Sequence, residues 1–193
     1  MKTRLIPPLM LLAALSACVA PIGPVEVTRF HLPDISALGH GPVQVVAAPG
    51  VDPASLEFRS YAAAVSRRLV LLGYTDATGG QVAEVKIVRE TMQPARTSSP
   101  VSVGIGGSTG SYGSGVGLGI GLNLSGPPPA QTRTDLAVTI RDHAGGQSLW
   151  EGRASFTVRS DSPLAGTQLG AAKLAEALFK GFPGSSGETI QVK

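Results

Sequence analysis

The apolar residues of this chain recur at two different periods, and the switch between them restricts it to folds that contain both strands and helices. Val25-Glu26-Val27-Thr28-Arg29-Phe30-His31-Leu32 alternates apolar and polar residues, the two-residue period of a half-buried strand, and Pro33-Asp34 closes it. Pro42-Val43-Gln44-Val45-Val46-Ala47 predicts a second strand, ended by Pro49-Gly50. Then Phe58, Tyr61, Ala62, Val65, Leu69 and Leu72 fall at three- and four-residue steps, which predicts an amphipathic helix. Asp52 is its expected N-cap, with Pro53 in the first helical position and Gly73 as the stop.

Alternation returns after a turn at Gly79-Gly80. Val82 to Arg89 predicts a strand, and Leu136–Arg141 and Ser148–Val158 predict two paired strands joined by a turn over Asp142 to Gly146. Ser162-Pro163 is expected to cap a second helix with Ala171, Leu174, Ala175 and Leu178 on one face, ended by Gly181 and Pro183. Strands linked by short turns, with two one-sided helices to cover them, predict an α+β domain: an antiparallel sheet with both helices packed on one face.

Between those strands lies a stretch of a different kind. No charged residue occurs from Thr97 to Thr132, and ten of the 26 residues from Val101 to Gly126 are glycine. Val116, Leu118, Ile120, Leu122 and Leu124 alternate with Gly117, Gly119, Gly121 and Asn123, and Val101, Val103 and Ile105 repeat the pattern. Residues 97–132 therefore read as a glycine-rich β-hairpin insertion with one aliphatic face and one nearly bare face. Glycine in a strand marks close approach of another chain or ligand, so Gly117, Gly119 and Gly121 form a candidate partner surface. Two other readings stay open. The glycines could simply face water, or the hairpin could enter a membrane as part of a closed oligomer.

The only cysteine is Cys18. Lys2 and Arg4 precede a short apolar run, Leu9 to Leu15, too short to span a bilayer, as a secretory signal does. Leu15-Ser16-Ala17-Cys18 resembles the lipobox of bacterial lipoproteins. The resemblance implies a signal peptide over 1–17, a diacylglyceryl thioether on Cys18 and, in most cases, an acylated amine, with 18–24 as a lipidated tether to a periplasmic domain at 25–193. Val19, rather than an aspartate, follows the cysteine; by that resemblance the chain goes to the outer membrane. More than one acyl chain is needed for firm anchoring.

The same division removes most of the charge. Losing Lys2 and Arg4 with the first 17 residues leaves 14 basic against 13 acidic residues. Arg67-Arg68 is the longest basic run, so no electrostatic footprint for nucleic acid exists. The histidines His31, His40 and His143 have no metal-ligand spacing, and no cofactor motif occurs. Gly106-Gly107-Ser108-Thr109-Gly110 matches the nucleophile elbow as letters only, because it falls at the expected hairpin tip rather than between a strand and a helix.

Trp150-Glu151-Gly152-Arg153-Ala154 and Phe182-Pro183-Gly184-Ser185-Ser186-Gly187-Glu188-Thr189 resemble features of an uncharacterised bacterial lipoprotein family, known as domain of unknown function 4136. The resemblance runs from Val25 to the end and implies an envelope lipoprotein without an assigned activity. Read from its residues, Trp150 is a core anchor, with Glu151 and Arg153 on the opposite face as a surface ion pair. Arg153 is otherwise a candidate partner-binding residue. The expectation is a non-catalytic lipoprotein with no cofactor, bound to the membrane through Cys18 and to an envelope protein. An envelope hydrolase using Ser108 or a carboxylate pair, and a structural oligomer built through the hairpin, are the alternatives.

Overall fold

The computed structural model describes residues 23–94, 101–110, 113–122, 128–143 and 146–193, with 101–110 and 113–122 described as backbone only. Cys18, the expected signal peptide and most of the expected tether lie outside the described residues. Among the described residues nine strands and two α-helices follow one another as β1 (Val25–His31), β2 (Gly41–Ala47), α1 (Leu56–Leu71), β3 (Tyr74–Asp76), β4 (Gln81–Met92), β5 (Val101–Gly110), β6 (Gly113–Leu122), β7 (Gln131–Arg141), β8 (Ser148–Arg159), α2 (Thr167–Phe179) and β9 (Thr189–Val192). The α+β class holds.

Seven strands form one sheet in the order β3-β2-β4-β7-β8-β1-β9. It is mixed, which corrects the expectation of an antiparallel sheet: β2 runs parallel to both β3 and β4, while the remaining neighbours are antiparallel. The cause is α1. A helix between two strands returns the chain to the end from which it started, so the next strand runs parallel to the first. The chain then crosses from one side of β2 to the other through Ala77 to Gly80. A Cβ on Gly80 would collide with the carbonyl oxygen of Pro42, so the expected turn at Gly79-Gly80 serves that crossing.

Alternate residues of the central strands face the helices. Val25 and Val27, Ala83 and Val85, Leu136, Val138 and Ile140, and Trp150, Ala154 and Phe156 are buried against Phe58, Tyr61, Val65, Leu69, Leu174 and Leu178. α1 and α2 lie side by side on this face and run in the same direction, with Tyr61 beside Gly170 and Arg68 bonded to Glu176. The opposite face of the sheet carries no helix among the described residues.

Both helix starts differ from expectation by local hydrogen bonding. Ser55, not Asp52, caps α1: its Oγ accepts from the Phe58 N–H at 3.1 Å. Asp52 instead closes a tight turn by accepting from the Ala54 N–H at 2.9 Å. Ser162-Pro163 caps a single 3-10 turn, Pro163–Ala165, and α2 starts only after Gly166. The stop at Gly73 is as expected, with φ +106°, a conformation that disfavours any side chain.

The glycine-rich strands β5 and β6 pair antiparallel in a two-stranded sheet of their own. Their register sets Val101 opposite Leu122, Val103 opposite Ile120 and Ile105 opposite Leu118, and sets Gly104 and Gly106 opposite Gly119 and Gly117. Like therefore stands opposite like along the ladder. Gly121 stands opposite Ser102, and the residues joining the strands, 111–112, lie outside the described residues.

Candidate interaction surfaces

Arg153 stands on β8, where burial alternates strictly. Trp150, Gly152, Ala154 and Phe156 point into the core, while Glu151 and Arg153 are exposed on the face away from the helices. Register places Arg153 between Thr28 of β1 and Ala137 of β7, and Ala137 is in turn opposite Lys86 of β4. Neighbouring strands are about 4.8 Å apart, so Arg153 and Lys86 stand about 10 Å apart across the small side chain of Ala137. The tryptophan is a core residue, as expected, but the expected Glu151–Arg153 ion pair does not form among the described residues.

Other arginines of this open face are neutralised. Arg133 bonds Asp135 through both nitrogens, at 3.0 and 2.8 Å, and Asp135 lifts the Arg133 pKa above its ordinary value. Arg141 Nε lies 3.2 Å from Glu84, and Arg159 bonds Asp161 at 2.7 Å. Arg153 and Lys86 have no ion-pair partner among the described residues, with Glu26 of β1 and Asp135 of β7 at positions diagonal to Arg153 and Glu151 two residues along its own strand. A row of two cations over a small residue fits a carboxylate or phosphate presented by a partner.

A second surface is a groove of about 640 Å³ on the outer side of the helices, lined by Leu56, Arg59, Ser60, Ala63 and Arg67 of α1 and Gln168 of α2. A smaller hollow of about 200 Å³ lies beyond it, between Arg68, Leu71, Leu72, Glu176, Phe179 and Lys180. The Arg68–Glu176 bond, 3.1 Å, belongs to this second hollow. Sequence periodicity marks Arg59 and Arg67 as the outer face of α1. It gives no sign that α2 adds Gln168, because that depends on how the two helices pack.

The remaining candidates are placed as follows. Gly117, Gly119 and Gly121 lie in β6, and Ser108 lies within β5 opposite Gly115. The stretch around Ser108 is thus strand rather than hairpin tip, and offers no strand-to-helix elbow. The His31 ring lies 2.7 Å from the Leu32 carbonyl and 3.2 Å from that of Gly184, a structural position. Among the described residues no group of three His, Cys, Asp or Glu side chains could hold a metal ion, and no helix is long and apolar enough to cross a membrane.

Two buried phenols report on how the helix layer packs. Burial raises the pKa of Tyr61, with the nearby Arg89 guanidinium offsetting part of the shift and Glu57 adding to it; burial also raises Tyr74. The folded state therefore keeps these protons where the unfolded chain, ionising near 10.0, has begun to lose them. Stability is fully present below pH 10 and declines as pH rises towards the raised folded values. Titrating phenolate absorbance in a Tyr112→Phe variant, which leaves Tyr61 and Tyr74, should show little ionisation at pH 10 and a steep rise on alkaline unfolding. Half of the phenolate signal at pH 10 would mean that both rings are open to water.

No protein-family model matches the chain. Among curated proteins it is similar to the uncharacterised protein ZMO1243 of Zymomonas mobilis, at 28% identity over 218 residues, covering 88% of this chain and 80% of that protein. Among solved structures it is similar to a PDZ domain protein from Parabacteroides distasonis, with a TM-score of 0.48 and 10% identity. That match covers 88% of this chain but only 39% of that one. It is also similar to the PelC dodecamer from Paraburkholderia phytofirmans, with a TM-score of 0.38, 13% identity and coverage of 78% and 91%.

Proposed function

We propose that this chain is a lipoprotein held at the periplasmic face of the outer membrane by acyl chains on Cys18. Its domain, residues 25–193, is non-catalytic and binds or supports another envelope component. The observation that carries the reading is the position of Leu15-Ser16-Ala17-Cys18, behind a basic and then apolar leader and seven residues ahead of the first strand at Val25. A lipidated cysteine there would tether a domain that starts at once. The kinship to the lipoprotein family named above is part of this proposal. The partner is taken to meet the open face of the sheet at Arg153 and Lys86, with the glycine-rich ribbon, at Gly117, Gly119 and Gly121, as a second contact.

Two measurements test the two halves. Metabolic labelling with a clickable fatty acid should mark the wild-type protein and not Cys18→Ser, which should also keep its leader; equal labelling would remove the anchor. A photo-crosslinking residue at Arg153 should capture a discrete envelope protein in intact cells, and one at Arg67 should not. Turnover of an ester, peptide or glycan substrate that disappears in Ser108→Ala would replace this reading with the hydrolase.

A further inference from the structure

The described domain has two rims, one at each end of its strands, and they differ in what the chain does there. At one rim β4 ends at Met92 and β7 begins at Gln131, directly opposite each other, so the glycine-rich segment leaves and returns at this rim. The first strand enters the sheet from the same side. Glu26 is level with Ser155, Asp135 and Val88 across the sheet. That row lies four residues, about 14 Å, from Met92, and six residues, about 20 Å, from Arg141 at the opposite rim. Val25 is one residue nearer to Met92 still. Cys18 and Val25 are seven residue steps apart, with six residues between them, at most about 25 Å when fully extended. Val25 therefore lies about 10 Å from the Met92 rim and about 24 Å from the Arg141 rim, so the tether joins the domain nearer to the Met92 rim.

The helix layer starts at the same level. The Arg89 guanidinium lies 3.2 Å from Glu57 and 3.4 Å from Thr167, so the first turns of α1 and α2 both flank it, three residues from Met92. These turns expose apolar side chains that the core does not use. Leu56 is 75% exposed and Leu169 55%, and Met92 on the rim itself is 45% exposed. The charges here are largely paired, Glu57 with Arg89 and Arg159 with Asp161, while Arg59 stands one turn further along α1. Leucines at the waterline with a basic side chain a turn behind them suit the boundary between acyl chains and headgroups.

We propose that the Met92 rim, with Leu56 and Leu169, rests on the lipid surface that holds Cys18, so that the domain sits in one orientation with its Arg141 rim away from the membrane. This rests on the anchor reading above, and names the surface of the domain that meets the bilayer. The occupant is lipid rather than protein because a covalent lipid anchor joins the domain nearer to this rim than to the other, whatever else the domain binds.

The lone cysteine makes the test clean. In the lipidated protein the Cys18 sulfur is consumed in a thioether, so Leu56→Cys, Leu169→Cys and Leu71→Cys each carry a single reactive thiol. Leu71 is also 75% exposed, but it ends α1 at the opposite rim. The lipidated full chains are nitroxide-labelled and reconstituted in vesicles of phosphatidylethanolamine with a minority of phosphatidylglycerol. Relaxation by oxygen is then compared with relaxation by a water-soluble nickel chelate. The expected result is that positions 56 and 169 favour oxygen, as membrane sites do, while position 71 favours the chelate. If wild-type protein itself takes up the thiol label, Cys18 is not lipidated, and the anchor and the orientation both fall. If wild type is inert but positions 56 and 169 meet the chelate as readily as position 71, the orientation is wrong and the anchor stands. Shielding of 56 and 169 in intact cells but not in protein-free vesicles would assign the rim to a protein partner and overturn the lipid contact.

Discussion

Replacing Arg29 with methionine is expected to lower the unfolding free energy of the domain by about 3 kcal/mol. Arg29 is a charged residue on the buried face of β1, only 4% exposed. Its guanidinium closes the end of α2: Nε donates to the Leu178 carbonyl at 2.9 Å, and Nη2 donates to Ala177 at 3.1 Å and Lys180 at 2.7 Å. The Ala177 carbonyl also accepts from the Lys180 N–H at 3.3 Å, but no further turn of helix follows to serve Leu178 and Lys180, and the negative end of the helix dipole favours a cation there. Burial works against the charge and lowers the Arg29 pKa, while Glu188 pulls it back up. Methionine keeps much of the volume but leaves three acceptors facing an apolar side chain. Lysine should fail nearly as badly, since a single ammonium cannot reproduce a fork that reaches three oxygens. Urea unfolding followed by circular dichroism measures the loss; a change under about 1 kcal/mol for Arg29→Met would show that water replaces the guanidinium without cost.

Trp150→Ala is expected to cost about 3–5 kcal/mol, the range for removing a large aromatic from a packed core. The indole is fully buried. It stacks on Phe179 at 5.4 Å between ring centres, and lies 5.2 Å from Phe182 at a tilt. Its N–H donates to the Pro183 carbonyl at 2.9 Å. The loss should therefore exceed that of a purely aliphatic deletion and should loosen the segment from Phe179 to Pro183 as well as the sheet. Trp150→Phe, which keeps a ring but drops the N–H, should recover most of the packing. Thermal unfolding of the three proteins in parallel decides it: an alanine variant within about 1 kcal/mol of wild type would mean that the aromatic cluster is not a stability determinant.

These two residues also show where the sequence was readable. Trp150 stands in a clean alternation, so its burial and the exposure of Glu151 and Arg153 follow from parity alone. The neighbouring glycine does not. Gly152 is there because the indole lies across it, and a Cβ at that position would meet the Trp150 ring and Leu178. Arg29 is harder. In Val25 to Leu32 the apolar residues change parity halfway, which read simply as alternation, but the strand does not flip. Arg29 stays inside with Val25 and Val27, and Phe30 is left 51% exposed. The reason lies in α2, whose end sits over β1 and requires a donor, and nothing local to β1 announces that.

Longer-range order is lost for a related reason. Period-2 patterning marks a strand but is indifferent to the direction of its neighbour, so the parallel pairing of β2 with β3 and β4 was visible only through the helix that separates them. The surfaces divide in the same way. The exposure of Arg153 was legible from β8 itself, whereas its alignment with Lys86 depends on the register of β4, β7 and β8. The groove along α1 depends on a helix more than a hundred residues away.

The place of β1 in the sheet governs when this domain can finish folding. Its two neighbours are β8 and β9, so Glu26 waits for Ser155 and Val25 for Val192. A chain emerging from its N-terminus can form the β2–α1–β3–β4 unit early, but its first strand stays unmatched until nearly all the described sequence is present. Contacts of such wide separation slow folding. Residues 25–31 thus stay without their sheet neighbours while the rest of the domain is being made, and an enzyme acting on the chain close to Val25 in that interval would meet it before β1 is locked into the sheet.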